Sequence, residues 1–126
     1  MKELDSIRVL IADDSSRMRH VLQGLLSLMG YIVVGAARNG RETLKAVLDL
    51  KPDIVLTDIQ MPDMDGIEAA RLIQEQCPTP VVVLTAYQKP DLLKRASAAG
   101  VGAYLVKPPS EEELERAITI AIARHR

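Results

Sequence analysis

The chain has 126 residues, enough for one domain with a real hydrophobic core. Its formal net charge of −1 and its lack of Trp and Phe leave no basic field or stacking platform for nucleic acid, and no polybasic patch for a membrane. The single cysteine, Cys77, excludes an internal disulfide and a cysteine-based zinc site, and reads as a small buried thiol. Residues Met1–Ser6 carry no apolar signal core, and no apolar run reaches the roughly 18 residues of a spanning helix. The chain therefore reads as cytoplasmic.

Taken in order, Ile7–Ala12 is a β-branched run that ends at Asp13–Asp14, with Ser15 and Ser16 suited to open a helix. Met18, Val21, Leu22, Leu25 and Leu28 follow at helical spacing, and Gly30 stops the helix. Tyr31–Ala37 is a second strand and Asn39–Gly40 a turn; Leu44, Val47 and Leu48 mark one face of a second helix. Ile54–Thr57 has the pattern of a strand buried on both faces, and Asp58 stands where it ends. The turn residues Met61–Pro62–Asp63 and Asp65–Gly66 follow, then a third helix faced by Ile67, Ala70 and Ile73. Val81–Leu84 is a fourth buried strand ending at Thr85, and Asp91–Ala99 a helix whose apolar content is mostly alanine, hence the least firmly packed element. Ala103–Val106 is a fifth strand ending at Lys107–Pro108–Pro109. The last helix opens with Ser110 and Glu113 in capping-box spacing and buries Leu114, Ala117, Ile118, Ala121 and Ile122.

Five strands alternating with five helices imply βαβ units and a parallel sheet with right-handed crossovers, one α/β domain over residues 1–126. In such a sheet ligands bind at the carboxyl edge. Asp13–Asp14, Asp58, Thr85 and Lys107 all end strands and converge there. Three clustered carboxylates repel one another, and a divalent cation relieves them. Oxygen ligands without imidazole or thiolate suit Mg²⁺, Mn²⁺ or Ca²⁺, and room for a phosphoryl oxygen favours Mg²⁺. Lys107 would meet an incoming anion, Thr85 would donate a hydroxyl, and Asp58 would be the nucleophile of a phosphoryl transfer. His20 and His125 read as solvated helix residues.

With these motifs the chain resembles the receiver domains of two-component response regulators. The residues that carry the likeness are Asp13–Asp14, Asp58 with Met61–Pro62 and Asp65–Gly66, Thr85–Ala86, and Lys107–Pro108. The resemblance implies a flavodoxin-like, doubly wound fold with strand order 2-1-3-4-5. It implies that Asp58 accepts a phosphoryl group from a phosphohistidine on a histidine kinase or histidine phosphotransfer protein. Asp14 and Asp58 would ligate Mg²⁺ directly, Asp13 largely through water, and the Gln60 backbone carbonyl would complete the protein ligands. Lys107 would pair with the phosphoryl oxygens, with a cis peptide before Pro108. Thr85 and Tyr104 match the family's switch pair, and their movement would reshape the face formed by the fourth helix, fifth strand and fifth helix. Gln60 and Tyr87 match positions that tune phosphoryl lifetime.

The implied output partner is a downstream effector protein, an effector domain of the same polypeptide, or a homodimer formed on phosphorylation. Both a stand-alone receiver and the front part of a longer regulator fit. Two rival functions stand beside this one. One is a Mg²⁺-dependent phosphatase or hydrolase working through an aspartyl phosphate. Such haloacid-dehalogenase-like enzymes carry a second Asp two residues after the nucleophile, where this chain has Gln60. The other is a scaffold that is never phosphorylated.

Overall fold

The computed structural model describes residues 7–86 and 88–125. Five strands, β1 (Arg8–Ala12), β2 (Ile32–Ala37), β3 (Ile54–Thr57), β4 (Val81–Thr85) and β5 (Ala103–Val106), alternate with five helices. The helices are α1 (Ser16–Leu28), α2 (Gly40–Leu50), α3 (Gly66–Gln76), α4 (Pro90–Ala98) and α5 (Glu111–Arg124). All strand pairs are parallel, in the order β2-β1-β3-β4-β5. The alternation predicts a parallel sheet, and this doubly wound, flavodoxin-like order is the one the resemblance to receiver domains implies.

Two apolar layers sandwich the sheet. Val9, Ile11, Ile54, Leu56, Val82 and Leu84 face Leu22 and Leu26 of α1 and Leu114, Ile118 and Ala121 of α5. Leu10, Val55, Val81 and Val83 face Val47 of α2, Ile67, Ala70 and Ile73 of α3, and Ala96 of α4. Alternate residues of one strand thus serve opposite layers, and every residue of β3 is buried. Each fully buried Leu or Ile is worth about 1.5–3 kcal/mol over an exposed one, so β1 and β3 are held from both sides. The inter-strand ladder continues past their ends: Asp13 N–H donates to the Ala37 carbonyl at 3.0 Å and Asp58 N–H to the Ala12 carbonyl at 2.9 Å.

Side-chain caps start four of the helices. Ser15, Asn39, Asp65 and Ser110 each accept from a backbone N–H three residues on, and Ser110 and Glu113 form the expected reciprocal capping box. Only α4 lacks a side-chain cap.

Four expectations about packing are corrected. In α1 the buried residues are Leu22 and Leu26, whereas Leu28 is 85% exposed and Val21 54% exposed. The apolar positions form an arc wider than the sheet can cover, and the sheet selects its edge through Leu22 and Leu26. In α2, Leu48 is exposed while Thr43 is buried, its hydroxyl donating to the Asn39 carbonyl at 2.7 Å. Cys77 is only partly buried, because it caps α3 at the rim of the core. His125 is no free solvated residue either: its Nε2 meets Gln74 Oε1 at 3.2 Å, and Gln74 Nε2 donates to the Thr79 carbonyl at 2.7 Å.

Candidate functional site

The carboxyl edge of the sheet gathers the charged residues. One carboxylate oxygen from each of Asp13, Asp14 and Asp58 lies within 4.8 Å of the other two. Lys107 Nζ reaches Asp13 Oδ2 at 2.6 Å and Asp58 Oδ2 at 3.3 Å. Asp13 is buried, Asp58 and Lys107 are nearly so, and Asp14 is exposed at the mouth. One ammonium among three carboxylates leaves a net negative pocket in a partly desolvated place. Its donors are all oxygens, the set that suits a hard divalent cation.

Backbone geometry dictates this meeting. Register pairs Ala12 with Thr57, so the residues that follow, Asp13 and Asp58, leave adjacent strands side by side. Thr85 pairs with Val106, and Lys107 N–H donates to the Thr85 carbonyl at 2.8 Å, which brings the lysine in from the other flank. The Lys107–Pro108 peptide is cis.

Each acid is oriented by its surroundings. Asp13 Oδ1 accepts from Ser15 N–H at 2.9 Å, and Asp58 Oδ1 accepts from Ile59 N–H at 2.7 Å. Each thereby turns its other oxygen, Oδ2, toward Lys107. Burial pushes the Asp58 carboxyl above its ordinary pKa, the neighbouring Lys107 ammonium opposes this, and the Asp13 charge reinforces it. Asp58 is thus a carboxylate short of compensation, poised to gain from an added cation.

Thr85 is buried at the end of β4. Tyr104 is half-buried on β5, and its hydroxyl is hydrogen-bonded to the backbone of Lys89, the residue that begins α4. Burial raises the Tyr104 phenol pKa and that hydrogen bond opposes the rise. Gln60 is exposed in the loop after Asp58, and Tyr87 lies outside the described residues.

Several supporting contacts escaped the sequence reading. Arg19 Nη1 donates to the Asp13 carbonyl at 2.7 Å. Helical side chains point back toward the N-terminus, so an Arg one turn into α1 is the signal that could have revealed it. Thr57 Oγ1 donates to the Asp58 carbonyl at 2.9 Å, and Gly66 N–H donates to the Ile59 carbonyl at 2.8 Å. A Cβ on Gly66 would stand 1.9 Å from the Asp58 carbonyl oxygen, so only glycine lets the loop fold back this closely. Asp65 caps α3 and also receives Arg95 Nη2 from α4 at 3.0 Å.

The family model of the response regulator receiver domain matches residues 9–119. The chain belongs to that family. The PdtaR transcriptional regulatory protein of Mycobacterium tuberculosis is 45% identical over 119 residues, 94% of this chain and 58% of that protein. The YdfI transcriptional regulatory protein of Bacillus subtilis is 36% identical over 91% of this chain and 54% of its own length. The chain thus spans little more than half of these regulators. The response regulator domain of Thermotoga maritima CheB superposes with a TM-score of 0.85 at 33% identity, covering 94% of this chain and 97% of that domain. This receiver domain therefore shares the fold of two-component receivers. None of its described helices is long and apolar enough to cross a membrane.

Proposed function

We propose that Asp58 of this receiver is a phosphoacceptor that takes a phosphoryl group from a phosphohistidine of a histidine kinase or phosphotransfer protein. The observation that carries this reading is the placement of Lys107 Nζ between Asp13 Oδ2 and Asp58 Oδ2. In the transfer an Asp58 carboxylate oxygen forms the new bond to phosphorus, and the P–N bond breaks with its electron pair going to the imidazole. Lys107 pairs with the phosphoryl oxygens, and the Thr85 hydroxyl donates to them after the transfer. Mg²⁺ suits the all-oxygen donor set, and Asp14 and Asp58 would hold it directly, with Asp13 acting through water and the Gln60 carbonyl completing the protein share. When bound it neutralises charge on the transferring group.

Phosphorylation adds roughly −1.5 to −2 charges beside a buried hydroxyl. Thr85 then shifts toward the phosphoryl group, and Tyr104 leaves the Lys89 backbone to fill the vacated space. The face formed by α4, β5 and α5 changes shape, and an effector protein, an effector domain or a second copy binds the new form. Residues 1–126 act as one such unit in the cytoplasm. Gln60 stands where an aspartyl-phosphate hydrolase needs its second acid, which supports a phosphoacceptor over a turnover enzyme.

The test is intact mass after incubation with Mg²⁺ and a small acyl phosphate, wild type beside Asp58→Asn. One added phosphoryl group in the wild type alone is expected, with released phosphate staying near the stoichiometry of the protein. An unmodified wild type, a modified Asp58→Asn variant, or continuous turnover would overturn the assignment.

A further inference from the structure

Helix α1 carries apolar residues on its outer face beyond those the sheet covers. Val21, Gly24 and Leu28 lie on that face at helical spacing, and Leu25 stands at its edge with its inner side packed on the core. Leu28 is 85% exposed, Val21 54% exposed, Gly24 exposed and Leu25 partly so. Gly24 sits mid-helix, where glycine is less stable than alanine, yet a Cβ there would meet nothing within 4 Å. Its own fold gives no reason for that glycine; it leaves a notch in the outer face.

The charges on the helix are also reversed. α1 has no acidic residue in its first turn and no basic residue in its last, the opposite of what the helix dipole favours. Instead Arg17, Arg19 and His20 crowd the N-terminal half. Arg19 is engaged with the Asp13 carbonyl. Arg17 is exposed on the stripe side and forms no ion pair among the described residues.

We infer that α1 pairs with α1 of a second copy of this chain, antiparallel about a two-fold axis between Gly24 and Leu25. In that register the exposed edge of Leu25 lies over the notch at the partner's Gly24, and Leu28 packs on the partner's Val21. The stripe is thus complementary to itself, large against small, as a two-fold contact requires. Arg17 comes beside the C-terminal end of the partner's α1, where a cation is favoured and the helix supplies none of its own. This charge complementarity selects a second copy over an unrelated apolar helix. A single pair of 13-residue helices buries less than the roughly 1,200 Å² of a stable interface, so the dimer is weak and rapidly exchanging.

Sedimentation equilibrium of the full chain, without any phosphodonor, tests the pairing and leaves the phosphoacceptor reading untouched whichever way it falls. Concentration-dependent dimerisation is expected. Gly24→Leu fills the notch and Leu28→Glu charges the stripe; each raises the dimer dissociation constant at least tenfold. Neither lowers the melting temperature, since both positions face solvent. The double variant Val21→Lys with Leu28→Glu restores association, because those positions oppose each other across the axis. A monomer at all accessible concentrations would overturn the inference. So would a dimer indifferent to both single substitutions, or a double variant no better than Leu28→Glu alone.

Discussion

Helices α3 and α4 lie on the same face of the sheet and are of similar length, yet they are held in opposite ways. α3 buries Gly66, Ile67, Ala69, Ala70 and Ile73, whereas α4 buries Ala96 alone. The strands repeat the contrast: β3 is buried throughout, and no residue of β5 is fully buried. The side of the molecule that positions Asp58 is fixed by apolar packing. The side that carries Tyr104 packs more lightly, through Leu92, Ala96, Ala99 and Tyr104 itself, and adds the polar contacts of Arg95 with Asp65 and of Tyr104 with the Lys89 backbone. A receiver needs both, because an immobile pocket must act on a face that costs little to rearrange.

The sharpest test of this contrast removes apolar volume from each helix. Ile73→Ala should cost about 2–5 kcal/mol in denaturant unfolding, and Leu92→Ala on the half-buried side of α4 less than about 2 kcal/mol. Equal losses would mean that α4 is as firmly packed as α3.

Electrostatics at the pocket give a second, smaller effect. Asp58 titrates above its ordinary value in the fold, so its ionisation opposes folding. The stability of the metal-free protein falls as pH rises from the ordinary carboxylate pKa through the raised one and then levels off; only below the ordinary value is the penalty absent. Asp58→Asn removes the penalty and should raise Tm near neutral pH in the absence of metal. Mg²⁺ should reverse the ranking, adding about 2.7 kcal/mol to the wild type at a hundredfold excess over its Kd and little to the variant. A variant less stable than wild type without metal would show that the carboxylate is well compensated.

The smallest change concerns the tether between the two helices. Arg95 and Asp65 are partly exposed, so Arg95→Ala should cost at most about 1 kcal/mol overall. Amide hydrogen exchange should nevertheless quicken across α4 and stay unchanged in the middle of α3. Uniform exchange in both helices would remove the tether from the description.

The strands and the convergence of Asp13, Asp14, Asp58 and Lys107 were legible in the sequence, whereas the strand order came only with the resemblance to receiver domains. β-branched runs ending in charged residues leave a parallel sheet little choice. The buried stripe of α1 was not legible, because Leu22, Leu25, Leu26 and Leu28 offer two faces and only the sheet decides between them. Nor was the bond between His125 and Gln74, which joins residues 51 positions apart through side chains with no periodic signature. Arg19 at the Asp13 carbonyl was hidden for another reason: it is a backbone contact made by a residue that reads as surface charge.

Helix α4 borrows its beginning. It has no side-chain cap of its own, and the Tyr104 hydroxyl from the neighbouring strand holds the Lys89 backbone instead. A self-capped helix keeps its length when its surroundings move. One whose first residue is anchored by another element must fray or re-form its opening turn whenever that anchor turns away. Rotation of a single phenol ring would therefore be written into the length of α4, as a turn of helix gained or lost at the end nearest the pocket.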